Sequence, residues 1–150
     1  MLYGLLEFEI HKKNQGNQRG NDWNMTNKQR ANHFFSEWVR RKDADYRGLV
    51  KCFTCDCVQH WKMMHDGHFC KRSDTATFVD EINNNPQCQY CNIELKGNLE
   101  VYAKNLDKVY GLGTADKLKE KARTTVKMSD RDWGNIADIY RRKLINLKCD

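Results

Sequence analysis

The stretch CFTCDCVQHWKMMHDGHFC, from Cys52 to Cys70, and the later stretch NNNPQCQYCN, from Asn83 to Asn92, decide the fold of this chain. Together they contain two C-x2-C pairs. Each pair donates two thiolates from one tight turn, and two such turns close the tetrahedral site that Zn²⁺ prefers. The sequence therefore predicts a zinc knuckle, with Zn²⁺ as structural cofactor, made by Cys52, Cys55, Cys88 and Cys91.

A redox role is the alternative for a C-x2-C pair, but the βαβ context of thioredoxin-like proteins is missing and the chain has two pairs. The total of seven cysteines is odd, and reducing conditions disfavour structural disulfides. Cys57, Cys70 and Cys149 lie outside the pairs, and Cys57 is the nearest substitute ligand. Metal binding is therefore the favoured interpretation.

Length and net charge further limit the possible fold and partners. A chain of 150 residues has room for one domain with a modest core. Its 26 Lys and Arg residues exceed its 20 Asp and Glu residues, so the net charge is +6, which favours an anionic partner such as nucleic acid or an anionic membrane surface. No apolar run approaches the roughly 20 residues that cross a bilayer. We expect a cytoplasmic protein with no membrane association.

Helical patterns flank the cysteine-rich region. Residues 1–26 are mostly polar and are expected to form a flexible leader. The apolar spacing from Ala31 to Val39 predicts an amphipathic helix within residues 27–48. Residues 49–110 hold the cysteines, and residues 111–150 are predicted to be a helical extension. The fold class expected from these patterns is α+β.

The C-terminal extension carries two helix-start signals and one apolar stripe. Thr114 and Ser129 are predicted N-caps. The stripe of the last helix consists of Trp133, Ile136, Ala137, Tyr140 and Leu144. It is equally suited to the core of the chain and to the interface of a homodimer.

Residues near the cysteine pairs could carry chemistry. His68 is expected on the second strand of a hairpin around the first pair, and Asn92 directly follows Cys91 at the expected start of a helix. A histidine can deprotonate water while a metal held by a carboxamide stabilises charge on a phosphate. Asn83 is placed to bind the backbone of the loop that carries the histidine. The alternative for His68 is a structural histidine bonded to a backbone carbonyl.

The order C-x2-C, GH, N-x4-C-x2-C-N resembles the ββα-metal, or His-Asn-His, nuclease plan. More narrowly, the segments FSEWVRRKDAD, CFTC, HWKMMHDGHFCKR, NNPQCQYCN, ELKGN and YAKNLDKVYG resemble the phage NinG (Rap) family of recombination endonucleases over about residues 30–113. The segment CN-x3-LKGN is also similar to phage recombination endonuclease VII.

This resemblance implies a ββα-metal core at residues 49–110 and a phage-encoded endonuclease acting on branched DNA, such as Holliday junctions and flaps. It implies His68 as general base, Asn83 as the supporting Asn and Asn92 as ligand of a catalytic Mg²⁺ or Mn²⁺. A homodimer and other recombination proteins are the expected partners besides DNA. The alternatives are a zinc-stapled DNA-binding protein without activity and a nuclease of the same type that nicks ordinary duplex or single-stranded DNA.

One position departs from the His-Asn-His pattern. Many such enzymes place an Asp directly before the base, where this chain has Gly67. Asp66 is the expected substitute metal ligand, with His65 or a non-protein ligand as alternatives.

The predicted DNA contacts are Arg72, Lys96, Asn98 and Lys104. Arg72 could hold a phosphate through a bidentate contact or be an ordinary surface arginine. The other three are expected near the DNA backbone, where contacts position the substrate without reading its sequence.

Overall fold

The computed structural model describes residues 24–147, so most of the predicted leader and Cys149 lie outside the described part. Its helices are α1 (Asn27–Arg41), α2 (Leu99–Tyr110), α3 (Thr114–Ala122) and α4 (Asp130–Asn146). Its strands are β1 (Leu49–Lys51), β2 (Val58–His60), β3 (His65–His68) and β4 (Asn84–Gln87). The strands form two separate antiparallel pairs, β1 with β2 and β3 with β4. The predicted α+β class is confirmed.

Helices α1 and α4 form one core although they lie at opposite ends of the chain. Thr26 begins α1 with a capping box that pairs it with Gln29. The predicted apolar face of α1 is buried at Phe35 and Val39, both 0% exposed. Its partners in the core are Trp133, Ala137, Tyr140 and Leu144. The stripe of α4 is therefore used inside the chain, and the homodimer, which stays a prediction, would need another surface.

The first strand pair carries the first cysteine pair in its connecting turn. Leu49 pairs with His60 and Lys51 with Val58, so the chain between them forms a hairpin. The amide of Cys52 donates to the carbonyl of Cys57 at 2.8 Å, which closes the turn. This hairpin was expected from the two β-prone segments around CFTC.

The second strand pair corrects the expected position of His68. His68 ends β3, the first strand of a second pair in which it lies opposite Asn84. The partner strand β4 reads NNPQ, and Asn and Pro are depleted in strands, so the pattern gave no strand there. Among the described residues this sheet has two strands, so Pro86 lies in an edge strand, where proline is tolerated.

The segment after the second cysteine pair also differs from expectation. Asn92 lies in a π-helical turn (Tyr90–Glu94), and the regular helix α2 begins only at Leu99. Lys96 and Asn98 have positive φ angles of 50° and 46°, which break the helix between these two elements. Ser129 caps α4 as predicted, whereas the N-cap of α3 is Gly113 and Thr114 is its first residue.

Within residues 24–147, none of the helices combines the length and the apolar character that crossing a bilayer requires.

Candidate zinc knuckle and active-site strand

The four predicted zinc ligands meet in space. The Sγ atoms of Cys52, Cys55, Cys88 and Cys91 all lie within 4.8 Å of one another. A tetrahedron with Zn–S bonds near 2.3 Å has sulfur atoms about 3.8 Å apart. The Cys55 and Cys88 Sγ atoms are 3.8 Å apart, which fits that geometry and is far too long for a disulfide. This cluster can hold a zinc ion.

Backbone and side-chain donors surround the sulfur atoms. The amide of Cys88 lies 3.3 Å from Cys52 Sγ, and the Thr54 hydroxyl lies 3.6 Å from it. Burial raises the pKa of Cys52, but the hydrogen bonds from Cys88 and Thr54 outweigh it and lower the pKa to about 7. These donors favour a thiolate, which is the form that binds metal.

A buried glutamine supports the knuckle, and the sequence pattern gave no sign of it. Gln87 is 0% exposed. Its Nε2 donates to Thr54 Oγ1 at 2.8 Å and to the carbonyl of Gly97 at 2.9 Å. Gln87 thereby joins the turn of the first cysteine pair to the segment after the second pair. A glutamine in a polar run carries no hydrophobic signal, so only its position beside Cys88 could have drawn attention to it.

Strand β3 separates the candidate catalytic residues by face. Side chains alternate along a strand, so Asp66 and His68 lie on one face while His65 and Gly67 lie on the other. Charge interactions of Asp66 with Arg40 place the first face against α1. The second face carries the contacts to the knuckle, because Gln87 lies opposite His65.

His68 presents a free ring nitrogen on the face toward α1. Its Nδ1 lies 3.2 Å from the carbonyl oxygen of Asp66, so Nδ1–H donates and Nε2 carries the lone pair. Nε2 is buried and has no hydrogen-bond partner among the described residues. Burial, and then the positive charge of Arg72, lower the pKa of His68 to about 4, and the backbone carbonyls of Asp66 and Phe78, which raise it, only partly offset them. The ring is therefore neutral near pH 7 and able to accept a proton or a metal.

Asp66 is a buried carboxylate on the same face of β3 as this histidine. It is 9% exposed, and neither of its oxygens has a hydrogen-bond partner in the part of the chain described. Burial raises the pKa of Asp66 to about 7, against the charges of Arg72 and Arg40 and a weaker effect of the Ser36 hydroxyl, all of which lower it. A buried carboxylate without partners is costly unless something pairs with it. Its oxygens are the ligand type that Mg²⁺ and Mn²⁺ prefer.

Arg72 borders the same face. It is exposed, and its guanidinium donates to Asn32 of α1 at 2.8 Å. The guanidinium also lies 5.9 Å from the centre of the Phe78 ring. Together with its charge effect on Asp66 and His68, these contacts put an exposed cation at the edge of the candidate active site.

Asn83 holds the loop that follows His68. It is 0% exposed, its Oδ1 accepts from the amide of Cys70 at 2.7 Å and its Nδ2 donates to the carbonyl of Thr77 at 3.0 Å. The hydroxyl of Tyr102, which the sequence did not single out, lies 2.9 Å from the carbonyl of Gly67 and 3.1 Å from that of Asn83. Helix α2 is thus tied to the strand that carries His68.

Asn92 contacts the other face of β3. Its Nδ2 lies 3.0 Å from Nδ1 of His65. No hydrogen bond joins Asn92 to Asp66 or His68 in the described range 24–147. The structure therefore brings Asn92 to His65 and leaves Asp66 and His68 together on the opposite face.

The remaining predicted DNA contacts have different surroundings. The Asn98 side chain is turned toward the knuckle, where Nδ2 donates to the carbonyl of Thr54 at 3.3 Å and lies 4.0 Å from Cys91 Sγ. Lys96 is exposed. Lys104 is also exposed and pairs with Glu100 at 2.7 Å. The two lysines are accessible to a ligand, whereas Asn98 is engaged within the protein.

Residues 8–150 match the family of the bacteriophage lambda NinG protein. This chain belongs to the NinG family. Membership places it among phage proteins related to recombination, and the match extends well beyond the segments that suggested it. None of the curated proteins matches the chain. None of the solved structures matches it either.

In this NinG-family chain, close packing explains why the residue before the candidate base is a glycine. A Cβ on Gly67 would lie 2.2 Å from Oε1 of Gln87, a separation that real structures essentially never show. Gln87 is held at its other amide atom by Thr54 and Gly97 and cannot easily move. The position where many His-Asn-His enzymes have Asp is thus closed to any side chain here.

We expect Gly67→Ala to destabilise the protein by about 1–3 kcal/mol, since overpacking a closed site costs that much. The Gly67→Ala/Gln87→Ala double variant should lose less than the sum of the two single losses, because removing the glutamine side chain relieves the clash. Urea unfolding measures all three. Gly134→Ala is the matched control, because its nearest atom would lie 3.4 Å away. Additive losses would contradict the contact.

Proposed function

We propose that this protein is a zinc-stapled, metal-dependent DNA endonuclease of the His-Asn-His type that acts on branched recombination intermediates. The observation that carries the proposal is the face of β3 toward α1. There a neutral histidine nitrogen and both oxygens of a carboxylate are buried beside an exposed arginine, and none of the three atoms has a partner within the described residues.

In this proposal His68 is the general base. Its Nδ1 is held by the carbonyl of Asp66, so the Nε2 lone pair is the atom that takes a proton from the attacking water. A carbonyl that orients the ring and fixes its tautomer is a common device in catalytic histidines. Asn83 supports the base indirectly, by fixing the loop that begins at Cys70.

Asp66 is the protein ligand that the geometry supports for Mg²⁺ or Mn²⁺. Such an ion would stabilise the charge that develops on the phosphate and the leaving oxygen. Mg²⁺ sites often use only one or two carboxylates, the rest of the shell being water and substrate phosphate. Asp66 fits that requirement because neither of its oxygens has a hydrogen-bond partner among residues 24–147. Asn92 as a second ligand stays a prediction, since its amide bonds to His65.

The substrate is held by cations at the edge of this face. Arg72 is placed to contact the phosphate next to the scissile bond, where a guanidinium gives a bidentate contact. Lys96, in the segment that leads into α2, and Lys104, within α2, are both exposed and would contact the DNA backbone. The preference for branched DNA rests on membership of a recombination-related phage family.

A second candidate function is a zinc-stapled DNA-binding protein without activity. The observation that favours it is the separation of Asn92 from Asp66 and His68, which leaves the usual metal shell of the His-Asn-His plan incomplete. In that case His68 would be structural, and the basic residues would bind phosphates with an affinity that falls steeply with salt.

A substrate panel tests the proposed substrate class. The purified protein is incubated with a labelled four-way junction, a flap and a matched linear duplex in the presence of Mn²⁺. We expect the junction and the flap to be cut at least about tenfold faster than the duplex, since a preference of that size corresponds to only about 1.4 kcal/mol of differential transition-state binding. Equal cutting of all three would make the protein a nuclease of ordinary DNA.

A further inference from the structure

A groove on the far side of the His68 loop has no part in the proposed chemistry. It has a volume of about 830 Å³ and lies between α2, α3 and the segment that follows β3. Its floor consists of the apolar side chains of Phe69, Leu99, Ala103 and Ala122. Phe69 directly follows His68 in the chain, so the groove is joined to the strand that carries the candidate base, although its lining includes neither His68 nor Asp66.

The rim of the groove is positively charged. Four cations line it, Lys71, Lys104, Lys119 and Arg123, against two carboxylates, Asp74 and Glu100. The Lys104–Glu100 pair is exposed on both sides, at 71% and 83%, so it stabilises the fold little and can exchange for a phosphate. The rim is therefore complementary to a polyanion.

The floor is firm. The Phe69 ring packs against Tyr102 with ring centres 5.5 Å apart, and Tyr102 is itself 0% exposed. Lys119 Nζ lies 5.8 Å from the centre of the Phe69 ring, which places a cation directly over the apolar surface. Leu99 adds accessible apolar surface, since it is 48% exposed.

We propose that this groove binds an unpaired DNA strand, with bases on the apolar floor and phosphates on the basic rim. Proteins that bind single-stranded nucleic acid without reading sequence combine a basic groove with side chains, mostly aromatic, on which bases stack. In this groove Phe69 is 8% exposed, so the accessible apolar surface is mainly that of Leu99. Paired bases are stacked inside a duplex and offer no face to such a floor. The inference rests on the proposed function in one respect: the bound strand is then an unpaired arm of the branched substrate.

Fluorescence anisotropy with labelled oligo(dT), in EDTA-free buffer without added Mg²⁺ or Mn²⁺, tests the groove on the zinc-loaded full chain. The Lys71→Gln/Arg123→Gln variant should bind on the order of tenfold more weakly, with a salt slope smaller by about 1.4, because each single-strand phosphate contact contributes about 0.7. Leu99→Ser should weaken binding by roughly five- to tenfold, as loss of a base contact does, with the salt slope unchanged.

Lys117→Gln/Lys127→Gln is the matched control, because both lysines are exposed and neither lines the groove. Losses of equal size in this control would overturn the proposal, since they would show a diffuse charge effect. Poly-glutamate that competes as well as unlabelled oligo(dT) would overturn it in favour of an acidic peptide. Unchanged oligo(dT) affinity in both groove variants would also overturn it.

The two proposals fail separately. Groove-dependent binding of oligo(dT) by a protein that cuts no DNA would support the groove and contradict the nuclease. Suppose instead that cleavage is metal-dependent and requires His68, while the groove variants bind oligo(dT) as tightly as the unchanged protein. That result would support the nuclease and contradict the groove.

Discussion

Replacing His68 by alanine is expected to lower the rate of junction cleavage by about 10²–10⁴-fold, the range that a positioned general base contributes. The expected loss rests on one atom of the ring, since Nε2 is a buried nitrogen that has no hydrogen-bond partner in residues 24–147. Single-turnover cleavage in Mn²⁺ measures the loss. Zinc content and junction affinity should stay close to those of the unchanged protein, because His68 does not belong to the cysteine cluster.

Two comparisons separate chemistry from folding in that experiment. His33→Ala removes an exposed histidine of α1 and should leave the rate unchanged. Added imidazole should restore part of the activity of His68→Ala, since it can occupy the cavity and accept the proton. A variant that cuts at the normal rate would remove His68 from the mechanism.

Replacing Cys88 by serine is expected to remove zinc and most of the stability of the knuckle. Structural zinc in small domains binds with apparent free energies of about 10–16 kcal/mol, and that energy is folding energy. We therefore expect bound zinc to fall from about one ion per chain to nearly none. The melting temperature should fall by about 10 °C or more, as a loss of several kcal/mol implies.

Cys57→Ser is the matched control for that prediction. Cys57 lies within the first knuckle turn but outside the group of four sulfur atoms that lie within 4.8 Å of one another. It should keep its zinc and its melting temperature, as measured by metal analysis and calorimetry. Loss of zinc in Cys57→Ser, with zinc retained in Cys88→Ser, would mean that Cys57 is the true fourth ligand.

The zinc ligands could be predicted because each C-x2-C pair is recognisable from residues three positions apart in the sequence. Two C-x2-C turns need only to approach each other, and the four sulfur atoms do so. The start of α4 at Ser129 was predictable for the same reason, since a capping box is formed by residues three positions apart.

Features that depend on distant partners could not be predicted. The stripe of α4 gave no sign that it packs on α1 rather than on a second chain, because an apolar helix face does not specify what covers it. Strand β4 was missed because NNPQ has poor strand propensity and is held by its pairing with β3. The alternation along β3 separates His65, which contacts Asn92, from His68 on the other face, and it became visible only with the register.

The most direct test of the central claim is cleavage of a labelled four-way junction by the unchanged, zinc-loaded protein in Mg²⁺, in Mn²⁺ and without either ion. We expect discrete products that form only when Mg²⁺ or Mn²⁺ is present, because the Asp66 carboxylate needs a divalent ion to act on a phosphate. Intact zinc and tight junction binding without cleavage in either ion would contradict it, and would make the protein a DNA-binding module.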